Sequence, residues 1–218
     1  MNDLNVREKT IHISRGDMDC IVFGSGEKSF VIIAGMSMTG LAGLAGPVSE
    51  AYSMFTEEYT VYLFDRLKVL PEGYSMREMS DDIAETMDVL GVNSADIMGN
   101  SQGGMIAQHL AIDHPEKVHS LVLCASMSRM GELGTAVLGK WAELGRKRDG
   151  AEIYRNFFRC VYQKPDMHLC SVLEKTATDA QCRRFRIEAD EKITSSGCGV
   201  NVEIDIYENS AAYWFMDV

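Results

Sequence analysis

Apolar residues arrive along this chain in two alternating forms, short unbroken runs and stripes at helical spacing. Lys28-Ser29-Phe30-Val31-Ile32-Ile33-Ala34 is a continuous apolar run, as expected of a strand in a parallel sheet covered on both faces. Thr60-Val61-Tyr62-Leu63-Phe64-Asp65-Arg66 and Leu121-Val122-Leu123-Cys124 read the same way. Between them, Ser75-Met76-Arg77-Glu78 predicts a capping box, with Tyr74 and Met79 placed as a hydrophobic staple. Met76, Met79, Ile83, Met87 and Leu90 then form one apolar stripe, which Gly91 ends. A second helix carries Met105, Ile106 and Leu110 and stops before Pro115. Strand, helix, strand, helix, strand in this order requires right-handed crossovers. The expected fold class is α/β, a mostly parallel sheet with helices on both faces.

Where the strand before the second helix ends, the chain reads Asp96-Ile97-Met98-Gly99-Asn100-Ser101-Gln102-Gly103-Gly104-Met105-Ile106. This is a G-x-S-x-G pentapeptide between a strand and a helix, the context of a nucleophile elbow. Gly99 and Gly103 are needed because a side chain two residues either side of Ser101 would collide across so tight a turn. The Lys28–Ala34 strand runs into Gly35-Met36-Ser37-Met38-Thr39-Gly40, a loop rich in small residues.

With His114-Pro115-Glu116-Lys117-Val118 and the Leu-Val-Leu strand that follows, residues 18 to about 125 resemble the α/β-hydrolase superfamily. The likeness is to its small bacterial members with an I-x-G-x-S loop. The resemblance implies a serine hydrolase acting on a small carboxylic ester, thioester or amide, with Ser101 as nucleophile. It assigns the oxyanion hole to the backbone N–H groups of Met36 and Gln102. It implies an acid and a histidine later in the chain, in the order Ser, Asp or Glu, His.

The later half departs from that pattern. No histidine follows His168, and no apolar-apolar-Gly-x-x-Asp segment occurs. His12, His109, His114 and His119 are read as surface or helix-end residues, so the lid residue His168 is the remaining candidate base. Asp65 ends a strand at the carboxyl edge, where it either serves as a displaced acid or, with Arg66, ties down neighbouring loops. The alternative function is a truncated, catalytically inactive hydrolase-like protein or small-molecule binder.

The expected divisions are a core over residues 1–126, a helical lid over 127–186 and an atypical tail over 187–218. Gly134–Gly145 and Ala151–Gln163 read as lid helices, and Gly199–Tyr207 alternates as a strand does. The whole chain carries −11, yet residues 127–186 hold 12 Lys and Arg against 7 Asp and Glu. A basic lid docked on an acidic core accounts for that division, and the overall charge argues against nucleic acid as a partner. At 218 residues and 46% hydrophobic content, one α/β domain with a good core is accommodated.

The six cysteines form no C-x-x-C pair and no cluster with zinc spacing, so no metal or other cofactor is expected. Met1–Lys9 lacks an apolar signal core and no run reaches membrane-spanning length, which suggests a reducing cytoplasm. Met36, Met38, Met127 and Met130 fall around the expected site and suit a flexible acyl pocket. Gly24–Ser29 resembles a phosphate loop, but Val22 and Glu27 stand where that motif requires glycines. It is expected to be a hairpin turn between the second and third strands. Expected partners are a small acyl substrate and, as an open alternative to a monomer, a second copy pairing its sheet edge.

Overall fold

A computed structural model describes residues 4–37 and 40–161 of the chain. Six strands form one sheet in the order β1-β2-β4-β3-β5-β6. They are β1 (Arg7–Ile13), β2 (Gly16–Gly24), β3 (Lys28–Ile33), β4 (Tyr59–Leu67), β5 (Ala95–Asn100) and β6 (Val118–Cys124). The β1–β2 and β2–β4 pairs are antiparallel, whereas β4, β3, β5 and β6 run parallel. Among the described residues five α-helices accompany them: α1 (Ala45–Ala51), α2 (Met76–Val89), α3 (Gln102–Asp113), α4 (Glu132–Arg146) and α5 (Gly150–Val161).

The continuous apolar runs of β3 and β4 are buried on both faces, whereas Val122 in the third run, on the outer strand β6, is 44% exposed. In β3, Val31 and Ile33 join Phe64, Ile97 and residues of α2 and α3 in one cluster, while Phe30 and Ile32 join Val61, Leu63, Leu41 and Val48 in another. The α2 stripe behaves as its spacing requires: Met76, Met79, Ile83 and Met87 are all buried, and Gly91 adopts φ +73° just past the helix. The capping box is present in full, Glu78 N–H donating to Ser75 Oγ at 3.1 Å and Ser75 N–H to Glu78 Oε2 at 2.8 Å. Ser75→Ala is therefore expected to cost about 1 kcal/mol. For a chain of this size that lowers Tm by roughly 2–4 °C; an unchanged melt by circular dichroism would show that α2 is held by packing alone.

The turn expected between β2 and β3 is not a hairpin, because β4 lies between the two strands. Gly24 to Lys28 instead crosses the start of β4. Lys28 N–H donates to the Glu58 carbonyl at 3.1 Å, and a Cβ on Gly26 would stand 1.9 Å from the Glu58 carbonyl carbon. Local sequence marks such a crossing and a hairpin with the same glycines. Only the long-range pairing of β4 distinguishes them.

Helices α4 and α5 follow β6, close to the expected segments, and pack on each other through Trp141, Leu144, Ile153, Tyr154 and Phe158. Trp141 Nε1–H donates to Asn156 Oδ1 across the pair at 2.8 Å. His168, the alternating segment Gly199–Tyr207 and the boundary at 186/187 lie outside the described residues, as do Met38, Cys170, Cys182 and Cys198. Cys20, Cys124 and Cys160 are free thiols. Among the described residues, no helix is long and apolar enough to cross a membrane, and no group of three or more His, Cys, Asp or Glu side chains could hold a metal.

Candidate active site

Ser101 stands alone between β5, which ends at Asn100, and α3, which starts at Gln102. Its backbone has φ 54° and ψ −119°, a region that suits glycine and costs about 1–3 kcal/mol for other residues. Neighbouring backbone holds it there. Ser101 N–H donates to the Cys124 carbonyl of β6 at 2.8 Å, and Gly104 N–H to the Ser101 carbonyl at 3.0 Å.

The surrounding glycines are steric requirements. A Cβ on Gly99 would lie 2.4 Å from Gly104 Cα, and one on Gly103 would lie 2.0 Å from the Ile33 carbonyl oxygen. One on Gly104 would meet the Ser126 side chain at 2.4 Å. Gly35 brings the loop after β3 directly to the serine, since a Cβ built there would stand 3.1 Å from Ser101 Cβ and 3.8 Å from Ser101 Oγ. Met36 and Gln102, assigned from sequence to the oxyanion hole, thus flank Ser101 on two separate segments. Gln102 is the first residue of α3, where a backbone N–H has no carbonyl four residues earlier in the helix to bond to. The Met36 side chain packs against the α4–α5 cluster, so these helices sit next to the same loop.

Asp65 is occupied structurally. It is 6% exposed, its Oδ1 accepts from Arg66 N–H at 2.8 Å and its Oδ2 from Leu41 N–H at 3.1 Å. Arg66, 3% exposed, reaches from β4 to both sides of the elbow. Its Nη2 donates to the Ala34 carbonyl at 2.7 Å and to Gln102 Oε1 at 2.8 Å. The sequence leaves Asp65 open as a displaced acid or, with Arg66, a tie for loops, and it does not show the bond to Gln102, which joins residues 36 positions apart.

The four described histidines lie away from Ser101. His12, on the edge strand β1, pairs with Asp17 at 2.6 Å. His114 follows the far end of α3 and meets Asp81 at 2.7 Å. His119 sits at the start of β6, where its Nδ1 is 2.6 Å from Asp96 Oδ1; Ser120 and Tyr59 hydroxyls donate to the same carboxylate at 2.6 and 2.9 Å. That cluster lies at the opposite strand end from Ser101. His109 is on α3, about 12 Å further along the axis at 1.5 Å per residue.

His109 is half-buried and its Nδ1 has no hydrogen-bond partner. Burial, with the Arg77 cation, lowers its pKa, against the opposing pull of Asp113 and Asp81. The unfolded chain, with an ordinary histidine pKa of about 6.5, then binds the proton more readily than the fold does. Stability falls as pH drops through that value and levels off below the folded-state pKa. His109→Gln is expected to flatten the fall in Tm as pH drops through about 6.5; parallel curves for the two proteins would remove His109 as the cause.

Comparison with known proteins agrees with this architecture. Residues 47–150 match the family model described as alpha/beta hydrolase fold. The protein named "Putative carbamate hydrolase RutD" from Caulobacter vibrioides is 30% identical over 97 residues, 42% of this chain and 36% of that protein. Its namesake from Caulobacter segnis is 32% identical over 98 residues, 42% and 37% of the two chains. The chain thus spans little more than a third of the length of these curated relatives. Among solved structures, an alpha/beta hydrolase enzyme from a Medee basin deep-sea metagenome library superposes with a TM-score of 0.70 at 16% identity, covering 83% of this chain and 70% of that one. An esterase from Exiguobacterium antarcticum gives 0.66 at 19% identity, covering 86% and 75%. At such identities the structures share the fold.

Proposed function

We propose, for a chain with the α/β-hydrolase fold, hydrolysis of a small carboxylic ester, thioester or amide with Ser101 as nucleophile. The observation that carries this reading is the strained elbow at φ 54°, ψ −119°, with the Gly35–Met36 loop laid against it. Ser101 Oγ attacks the substrate carbonyl carbon while its proton passes to a general base. The carbonyl oxygen takes up the negative charge between the Met36 and Gln102 N–H groups. Collapse expels the leaving group, which takes the proton, and water then releases the acid from the acyl-serine and regenerates the hydroxyl. Carbamates, for which the curated relatives are named, present the same carbonyl to such a site. Helices α4 and α5 act as the lid, with Met36 and Met130 among the apolar residues toward the acyl group.

A serine hydroxyl is a weak nucleophile without a base. His168 is the histidine we assign to that role. A second reading, an inactive hydrolase-like binder, is favoured by one observation: the four described histidines all lie away from Ser101. Steady-state hydrolysis of p-nitrophenyl acetate, butyrate and octanoate separates the two. Saturable turnover that His168→Ala abolishes supports the enzyme and its base. Absence of turnover from the folded chain, with small esters still binding, supports the binder.

A further inference from the structure

We propose that Arg66 is a positioning residue that sets the spacing of the oxyanion hole, an inference that rests on the reading of Met36 and Gln102 as its donors. A guanidinium NH2 group carries two hydrogens, and Nη2 spends them on acceptors in different segments, the Ala34 carbonyl at 2.7 Å and Gln102 Oε1 at 2.8 Å. Each acceptor belongs to one side of the hole. Only Gly35 separates the held Ala34 carbonyl from Met36 N–H, and glycine is the residue least able to hold a backbone direction by itself. Gln102 carries the other N–H on the residue whose side chain Arg66 holds. The two segments also approach closely through backbone, at Gly103 against Ile33 and Ala34.

Burying a guanidinium at 3% exposure is unfavourable unless its hydrogens are placed. Two of its five hydrogens, both on Nη2, are placed across the gap that the two donors must share. Asp65 reinforces the same frame from the neighbouring β4 residue, holding Leu41 N–H beyond the loop. An oxyanion hole acts through donors fixed before charge develops, and an error of about 1 Å in their placement costs on the order of 100-fold in rate. Arg66 thus acts on the reaction without touching substrate.

The test reads both donors directly. Backbone 15N order parameters at Met36 and Gln102 are measured in the wild type, Arg66→Met and Gln102→Leu. Arg66→Met is expected to lower both values, from the rigid range near 0.85 toward 0.6, with β3 and β5 unchanged. Gln102→Leu is expected to lower the value at Gln102 and leave Met36 nearer the wild type. Unaltered values at both positions in a folded Arg66→Met would overturn the proposal. If Arg66→Met does not fold, an unaltered Gln102 in Gln102→Leu overturns it and a lowered one upholds it. Fluorophosphonate labelling of the same proteins separates this inference from the hydrolase reading. A labelled wild type with Arg66→Met slowed about 100-fold, at unchanged apparent affinity for the probe, upholds both. An unlabelled wild type with the expected loss of order retains Arg66 as the tie and rejects Ser101 as an activated nucleophile.

Discussion

Gly103→Ala is expected to lower Tm by about 10 °C or to prevent folding. The added methyl carbon would stand 2.0 Å from the Ile33 carbonyl oxygen, 2.5 Å from that of Ala34 and 2.7 Å from the Ile33 carbonyl carbon. All three are backbone atoms at the end of a central strand, so no side-chain rotation relieves the clash. Helix α3 would have to move away from β3, which loosens Ile106, Ala107 and Leu110 from the core they enter completely buried. A cost of about 3–5 kcal/mol follows from overpacking and lost burial together. At roughly 2–4 °C per kcal/mol for a chain of this size, the fall in Tm is large enough for a single melt. Gly139→Ala is the control: it lies in α4 with nothing within 4 Å of the new carbon, and it is expected to stabilise slightly. Equal melts for the two variants would mean that the close approach of α3 to β3 is not needed for stability.

Ser101→Ala is expected to reduce turnover by about a thousandfold or more, while leaving the fold intact. Alanine keeps a Cβ and hence the strain at φ 54°. Ser101→Gly removes the strain as well as the hydroxyl. It is therefore expected to be equally inactive yet more stable than Ser101→Ala, by about 1 kcal/mol. The pair separates the two roles of the position, since activity falls in both and stability rises in one. Ester hydrolysis retained by Ser101→Ala would assign the chemistry elsewhere.

Local signals were legible in the chain where one segment suffices to form them. The capping box at Ser75, the stop at Gly91, the buried run of β3 and the pentapeptide around Ser101 all depend on residues within a few positions of one another. The helices after β6 were also readable in the chain, within a few residues at both ends of α4 and at the start of α5. What was not legible depends on partners distant in sequence. The insertion of β4 between β2 and β3 is a matter of long-range pairing, so Gly24 and Gly26 read as a hairpin. The bond from Arg66 to Gln102 joins a strand to a helix through a buried charge, and no periodicity marks it. Gly35 is legible as the glycine of the I-x-G-x-S loop, but its place against Ser101 depends on the approach of two segments distant in sequence.

The intact mass of the purified chain after incubation with a fluorophosphonate, beside Ser101→Ala, tests the central claim most directly. One phosphonyl group per chain is expected on the wild type and none on the variant, which would establish an activated serine at the elbow. A folded wild type that gains no mass would contradict it, and the elbow would then be architecture without hydrolysis.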